Sequence, residues 1–368
     1  MTLSRRTALT VLGGGVVLAA TGCAAGFALT RTPRKAIEPW DLAGQYDDPR
    51  LNALSYALLA PNPHNLQPWL IELVSDDGIR LHHDKTKRLP ETDPFDRQIV
   101  IGFGCFLEQM VIAASTTGHA IEISLFPDGE DGPIAQATFS TGVDVDPLAA
   151  SIVQRRSCKK PFENREIESD KVRMLEPFAN IITDGAQADE IKVLTWDSWK
   201  VEAATPRTYN ESVDLMRFGK SEINANPDGI HLGGVFFESL ILLGQLNREQ
   251  QLDTNSMSYK KGFEIYQKML EATPAYAVLF SDTNTRADQI EAGRQWLRLN
   301  LRTTELGLAL HPISQCLQEY AEMEVNYTKA HSLLATGGQT VQMLGRLGYG
   351  PTIAPTPRWP LEEKRLNA

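Results

Sequence analysis

The apolar positions of this chain change period along its length, and each change marks an element. From about residue 36 to 59 they recur at helical spacing, with Leu51, Leu54, Leu58 and Leu59 leading out of the stretch. The pattern breaks between Gly44 and Pro49, which predicts two helices. Ala60-Pro61-Asn62-Pro63-His64-Asn65-Leu66-Gln67-Pro68-Trp69 then puts three prolines into ten residues. That excludes a helix interior and predicts a stiff loop. Trp69, Ile71 and Leu73 alternate, so a strand is expected from Trp69 to Ser75. A turn at Asp76-Asp77-Gly78 and a second strand from Ile79 to His83 complete a hairpin. Asp93 and Pro94 read as the N-cap and first position of a long helix. From Gln98 to Thr117 apolar residues cover nearly every face, which predicts burial all round, and Gly118 ends the run. Strands are expected at Ala120–Phe126 and Ile134–Ser140.

The second half carries a helix of the same kind, from about Ala292 to Leu310, preceded by a strand at Ala275–Ser281. Gly104 to Gly118 spans the same interval as Gly293 to Gly307, and Leu107, Met110 and Ile112 fall on Trp296, Leu299 and Leu301. This internal similarity predicts two copies of one α+β unit in a single chain, packed as a pseudo-dimer with a pocket where they meet. The stretch from about Met216 to Lys268 is helical in pattern and has no counterpart in the first half. With its Gly233-Gly234-Val235-Phe236-Phe237 turn it reads either as a flap over the pocket or as a surface insertion. Gln339 to Arg346 reads as a final helix.

Length and composition change this picture little. At 368 residues, 42% hydrophobic and 22% charged, the chain is an ordinary globular protein of about two domains. A net charge of −10 leaves no dominant basic field and argues against nucleic acid as a partner. The four cysteines, Cys23, Cys105, Cys158 and Cys316, form no C-x-x-C pair, so neither a disulfide framework nor a zinc site is expected, and Cys105 and Cys316 read as core. His82 and His83 are adjacent in a strand and point to opposite faces, which argues against a shared metal.

The N-terminus reads as an address. Ser4-Arg5-Arg6-Thr7-Ala8-Leu9 resembles the twin-arginine export motif, with Ala8 where phenylalanine is favoured. The run from Val11 to about Ala25 is interrupted by Gly13 to Gly15 and is weaker than a permanent span of about 20 strongly apolar residues. Ala20-Thr21-Gly22-Cys23 resembles a lipoprotein cleavage box, and a short tether follows to about Arg34. Export in a folded state is a pointer to a cofactor loaded before crossing.

One run stands out against the acidic background. Gln154-Arg155-Arg156-Ser157-Cys158-Lys159-Lys160 places four cations and a hydroxyl in six residues. It reads either as a solvated turn or as a site for a phosphate monoester, since arginine offers paired donors, lysine a point charge and serine one more donor. It lacks the glycine spacing of a P-loop, and no G-x-G-x-x-G follows a strand.

These pieces together resemble the FMN-dependent nitroreductases, in particular their duplicated single-chain members of the Acg type. Residues 60–69 are similar to that family's A-P-S-x-x-N-x-Q-P-W, and Arg155-Arg156-Ser157-Cys158-Lys159 to its R-R-S-x-R/K. The buried helix ending Leu306-Gly307-Leu308 resembles its core helix, and Leu347-Gly348-Tyr349-Gly350 through Thr356-Pro357-Arg358 its closing segment. The basic run follows the proline loop by about ninety residues, whereas in ordinary members it comes first. That order fits a fused, diverged pair. Asn62 and Lys159 stand where the family has serine and often arginine.

The resemblance implies an α+β fold of two tandem nitroreductase-like units: residues 1–34 signal and tether, 35–145 the first half, 146–368 the second with the insertion at about 216–268. It implies FMN as cofactor, with the phosphate held by Arg155, Arg156, Ser157, Lys159 and Arg358, and the pyrimidine edge met by Asn65 and Gln67, by side chain or backbone. It implies NAD(P)H or another donor, and a nitroaromatic, quinone or similar small acceptor. No side chain is expected to act as an essential acid or base, so no catalytic residue and no metal ligand is named. The alternatives are an exported, lidded FMN-sequestering protein with little turnover, and a cofactorless structural descendant. The intact basic run speaks against the last. Expected partners are the twin-arginine export machinery and, through Cys23, a membrane. The expected location is periplasmic or membrane-attached, the expected assembly a monomer.

Overall fold

The structure is a computed structural model, and it describes residues 30–366. The expected export motif, apolar run and Cys23 box lie outside the described residues.

Helices α1 (Arg34–Leu42) and α2 (Pro49–Ala57) open the chain, and Asp48 caps α2 by accepting from the Arg50 backbone N–H. Strands β1 (Trp69–Val74) and β2 (Gly78–His83) form the expected hairpin. Helix α3 (Arg97–Ser115) is buried along almost its whole length. Strands β3 (His119–Leu125) and β4 (Ala135–Thr141) complete an antiparallel sheet of order β1-β2-β4-β3. After α4 (Ser169–Leu175), β5 (Asn180–Ile182), α5 (Gly185–Ala204) and α6 (Pro206–Asp214) comes the insertion. It contains β6 (Met216–Phe218), α7 (Gly219–Ala225), β7 (Ile230–Leu232), α8 (Val235–Leu242), α9 (Arg248–Leu252) and α10 (Met257–Glu271). Then follow β8 (Ala275–Ser281), α11 (Arg286–Glu305), β9 (Ala309–Pro312), α12 (Glu324–Leu334) and β10 (Thr340–Gly348). The second main sheet is also antiparallel, in the order β5-β8-β10-β9.

Both sheets therefore have the same plan: two strands, a buried helix, two strands, with the last strand of each set inside the sheet. The two long helices, α3 and α11, pack on each other where glycine removes the side chain. A Cβ on Gly104 would lie 2.1 Å from the Ile290 carbonyl oxygen, and one on Gly293 would lie 2.0 Å from that of Ile101. The contact is reciprocal, and Ile101/Ile290, Gly104/Gly293 and Gly118/Gly307 keep one constant offset of 189 residues. Beside it Glu108, on α3 and buried, pairs with Arg294 and Arg298 of α11. Gly118 and Gly307 adopt φ of +74° and +69°, the left-handed turn that ends each helix.

Three expectations change. Residues 340–348 are a strand, not a helix: β10 lies between β8 and β9 and is buried on both faces, so it lacks the alternation that would reveal it. Asp93 is not the residue adjoining the long helix. Asp96 holds that place at φ +57°, while the Asp93 carboxylate accepts from the backbone N–H groups of Gln98 and Ile99. The second long helix starts earlier than Ala292, at a capping box between Thr285 and Asp288. The hairpin histidines part as expected: His82 meets Glu72, and His83 lies edge-on to Phe103. Cys105, Cys158 and Cys316 are buried free thiols.

Candidate functional site

The proline loop is held in an uncommon shape. His64, Asn65 and Gln67 adopt φ of +47°, +56° and +53°, a region non-glycine residues enter at a cost of about 1 kcal/mol or more each. Hydrogen bonds over-determine it. Asn62 accepts from the Gln67 backbone N–H at 2.8 Å and donates to the Ala60 carbonyl at 3.1 Å, which closes the loop on itself. Asn62 thus supplies an acceptor, as a serine would, and adds a donor.

Asn65 joins the loop to the C-terminal segment. Its carboxamide donates to the Pro357 carbonyl and accepts from Arg358 at 2.5 Å. Gln67 is fully buried and fully engaged: Nε2 donates to the carbonyls of Pro227 and Asn65, and Oε1 accepts from the Trp359 N–H. Its own carbonyl accepts from Lys364. The side chain of Gln67 is therefore a clamp between loop, insertion and tail.

Arg155 and Arg358 converge on the same backbone. Arg155 donates to the carbonyl of Leu59 and to Asn300, and Arg358 to the carbonyls of Leu59, Ala60 and Pro357. Arg156 lies over the Trp40 ring at 4.3 Å, with Arg358 at 5.7 Å from the same ring. None of the three guanidiniums makes an ion pair among the described residues. Burial and the neighbouring arginines hold Arg358 well below its usual pKa, and burial first, then Arg156, brings Arg155 to about 10. The Nε atoms of Arg155, Arg156 and Arg358 are all buried without a hydrogen-bond partner. Three close cations, no carboxylate and three orphaned donors make a site complementary to a compact anion.

Lys159 stands apart from the arginines. It is open to solvent and bonded to nothing among the described residues, yet desolvation lowers its pKa. Three histidines share its field. Burial, then Lys159, lowers His64 and His231 to about 4, and His311 is pushed well down by burial, Arg346 and Lys159. All three are neutral at pH 7, so Lys159 is an ammonium among uncharged imidazoles. The Ser157 hydroxyl has no partner among the described residues, and its backbone bridges to Leu310 at β9. A separate recess of about 360 Å³, lined by Glu166, Ser169, Arg173 and Glu176 among others, involves none of these residues.

The insertion covers the loop. The Gly229 N–H donates to the Asn65 carbonyl, and Asp228 accepts from Lys87, Arg217 and the Trp359 indole. His231 lies on β7, three residues beyond.

The structure thus brings together Asn65, Arg155, Arg156 and Arg358, with Lys159 reaching the same region from another side. Sequence reasoning missed Trp40, Asn300, His231 and His311. A lone tryptophan in a short helix and two isolated histidines carry no local signal. No group of three or more metal-ligating side chains occurs among the described residues.

No family model matches the chain. A Mycobacterium tuberculosis H37Rv protein, named provisionally as an NAD(P)H nitroreductase, is 23% identical over 334 residues, 84% of this chain and 89% of the relative. The acg protein of the same organism, named in the same way, is 23% identical over 338 residues, 85% of this chain and 93% of the relative. Among solved structures, an Anabaena variabilis protein described as a nitroreductase aligns over 86% of this chain and 91% of its own at 12% identity and TM-score 0.43. The FMN-dependent nitroreductase NfnB of Mycobacterium smegmatis, solved with NADPH, aligns over 59% and 96% at 15% identity and TM-score 0.35. TM-scores this low do not establish a common fold. Over most of its length the chain is similar to proteins named as NAD(P)H nitroreductases, and that similarity supports the nitroreductase family.

Proposed function

We propose that this chain is an FMN-binding oxidoreductase of the nitroreductase type. The observation that carries the reading is the cluster of Arg155, Arg156 and Arg358, which has buried orphaned donors and no counter-charge. It fits the dianionic phosphate of FMN, and the same reading takes the surroundings of Lys159, Ser157, His64 and His231, of mixed polarity, as the recess for the rest. When bound, FMN would supply hydride transfer from NAD(P)H or another donor to a nitroaromatic, quinone or similar acceptor. Arg155 and Arg358 also fix the loop carbonyls at Leu59 and Ala60. Asn65 keeps its backbone on the wall of the site. Lys159, the unpaired cation, is free to balance negative charge that grows on a ring during reduction. The neutral histidines have little capacity to donate a proton at pH 7, consistent with chemistry that needs no side-chain acid.

The same reading takes the two α+β units as tandem copies, supported by their common strand order, constant helix offset and reciprocal glycine contact. Residues 35–145 and 146–368 are then two halves of a fused dimer, which makes a monomer sufficient. It takes residues 1–34 as a twin-arginine signal and tether, with Cys23 as the lipid attachment point.

A second reading has its own support. Asp228, Gly229 and Pro227 fasten the insertion over the loop, as a protein that stores flavin under a lid would require. A visible spectrum of the purified protein, followed by anaerobic NADPH, separates the two. The yellow band of oxidised flavin bleached by NADPH is the expected result. A band that only dithionite bleaches favours storage or a different donor, and a colourless protein that fails to take up added FMN overturns both.

A further inference from the structure

Helix α8 is an apolar helix left in the open. Phe236, Leu242 and Leu243 are 68%, 71% and 70% exposed, and Val235 is exposed as well. At about 100° per residue these four fall within one third of the helix circumference. Ser239 is the one polar residue in that arc, and its hydroxyl is turned back onto the Val235 carbonyl at 2.8 Å. Glu238 lies on the flank of that arc, buried and accepting from the Lys220 N–H at 2.5 Å, while Phe237 and Ile241 on the opposite side are half-buried. The helix therefore presents an apolar face with no polar group left to solvate.

What meets that face follows from where the chain enters. Arg31 pairs with Glu238 at 3.6 Å, and Lys220 holds the Thr30 carbonyl at 2.9 Å. The N-terminal segment is thus pinned to the flank of α8. The apolar run of residues 11–25 ends only five residues before Thr30, a reach of at most about 17 Å. Arg31, Arg34 and Lys35 put three cations at the same entry point, and Arg34 and Lys35 are exposed. An exposed apolar helix face, an adjoining apolar run and a basic cluster are the three parts of an interfacial membrane contact.

We propose that in the uncleaved chain, where the apolar run of residues 11–25 is still present, the α8 face seats in the surface of an anionic lipid bilayer, with the cations Arg31, Arg34 and Lys35 at the chain's entry beside it. Docking of this kind turns the side of the insertion next to Gly233, Gly234 and His231 toward the membrane.

Full-length F236W and L242W chains, mixed with phosphatidylcholine–phosphatidylglycerol vesicles, test this. Both positions are exposed, so neither change disturbs the fold. The added tryptophan emission is expected to shift to the blue and to lose most of its intensity when the acyl chains are brominated. A K192W chain, altered on α5, serves as control and is expected to show neither change. Three results overturn the proposal. One is failure of the chains to bind the vesicles. Another is binding without quenching in F236W and L242W, which leaves anchoring to the N-terminus alone. The third is a blue shift already complete without lipid, which means residues 11–25 or a second copy covers the face. The readout is independent of flavin content, so it stands or falls separately from the proposed activity.

Discussion

Arg358 commits both terminal nitrogens to four oxygens, from Asn65, Pro357, Leu59 and Ala60, none of them a carboxylate. Substituting it removes structure and charge together, so it cannot isolate the cofactor role. Lys159 can, because it makes no hydrogen bond or ion pair among the described residues. Lys159→Met is expected to leave the melting temperature within the small range of ordinary surface changes, roughly 0.5 kcal/mol. It should weaken FMN binding tenfold or more, the worth of about 1.5–3 kcal/mol for a charged hydrogen bond. Titrating the apoprotein by flavin fluorescence quenching checks this, and unchanged affinity would remove Lys159 from the site. A second residue sets a pH dependence remote from it. Burial raises Glu202 to about 7 despite its hydrogen bond to Gln318. Its folded pKa lies above the unfolded value near 4.5, so the folded state holds a proton that the unfolded state has released. The contribution is full below pH 4.5 and is lost as pH rises to 7, on the order of 3 kcal/mol. Glu202→Gln should therefore flatten the fall in stability between pH 5 and 8 that the parent shows. Parallel slopes in the two proteins would refute that role.

Between elements, the decisive contact is the crossing of α3 and α11. Gly104→Ala forces a methyl to 2.1 Å from a carbonyl oxygen of the facing helix, and no flexible side chain can move aside. Separation of the two long helices follows, with an expected loss of about 3 kcal/mol or more, in the range of severe core overpacking. Chemical denaturation measures it, and a loss below about 1 kcal/mol would mean the helices do not meet as described. Glu108→Ala is expected to cost about 1–3 kcal/mol, because Arg294 and Arg298 are 37% and 34% exposed and keep Glu291 and Asp146 as partners. The two helices and their matched glycine spacing were legible in the sequence, but that they cross at Gly104 and Gly293 was not, because the contact joins positions 189 residues apart. The hairpin and β8 were legible for the complementary reason, clear alternation or a short apolar run bounded by turns. β10 was not. Val341, Leu344 and Leu347 recur every three residues, and burial on both faces erased the period of two. Gln67 shows the limit at a site. Its residue type suggested a ligand contact, and only the fold reveals that its carboxamide ties together Pro227, Asn65 and Trp359.

Over the whole molecule, three distant segments close on one loop. The tail returns from the second unit to the first, where Arg358 N–H reaches the Ala36 carbonyl and Leu366 N–H that of Ile71. The Trp40 indole holds Thr356, and the insertion reaches down through residues 227–229. The basic run and proline motif could be read in the sequence, but their meeting with the tail could not, because it depends on contacts spanning 96 positions for Arg155 and 299 for Arg358. Asp228 is where the closure is concentrated. Its carboxylate is 1% exposed and takes Lys87 at 2.6 Å, Arg217 at 2.7 Å and the Trp359 indole at 3.1 Å. Burial alone would raise its pKa, but these three partners bring it below the usual carboxylate value. Asp228→Ala strands two cations against a tail and loop they no longer grip. The part of the insertion around residues 216–232 is expected to open before the core unfolds, while α10 stays packed through Tyr259, Phe263 and Tyr266 on Trp196, Trp199 and Tyr209. Limited proteolysis should then cut within residues 216–268 at least tenfold faster than in the parent. FMN should leave faster, while the denaturation midpoint of the two long helices changes little. Faster cutting with unchanged flavin release would show that the insertion shields the protein surface and not the recess. Equal cutting in both proteins would show that Asp228 does not hold it closed.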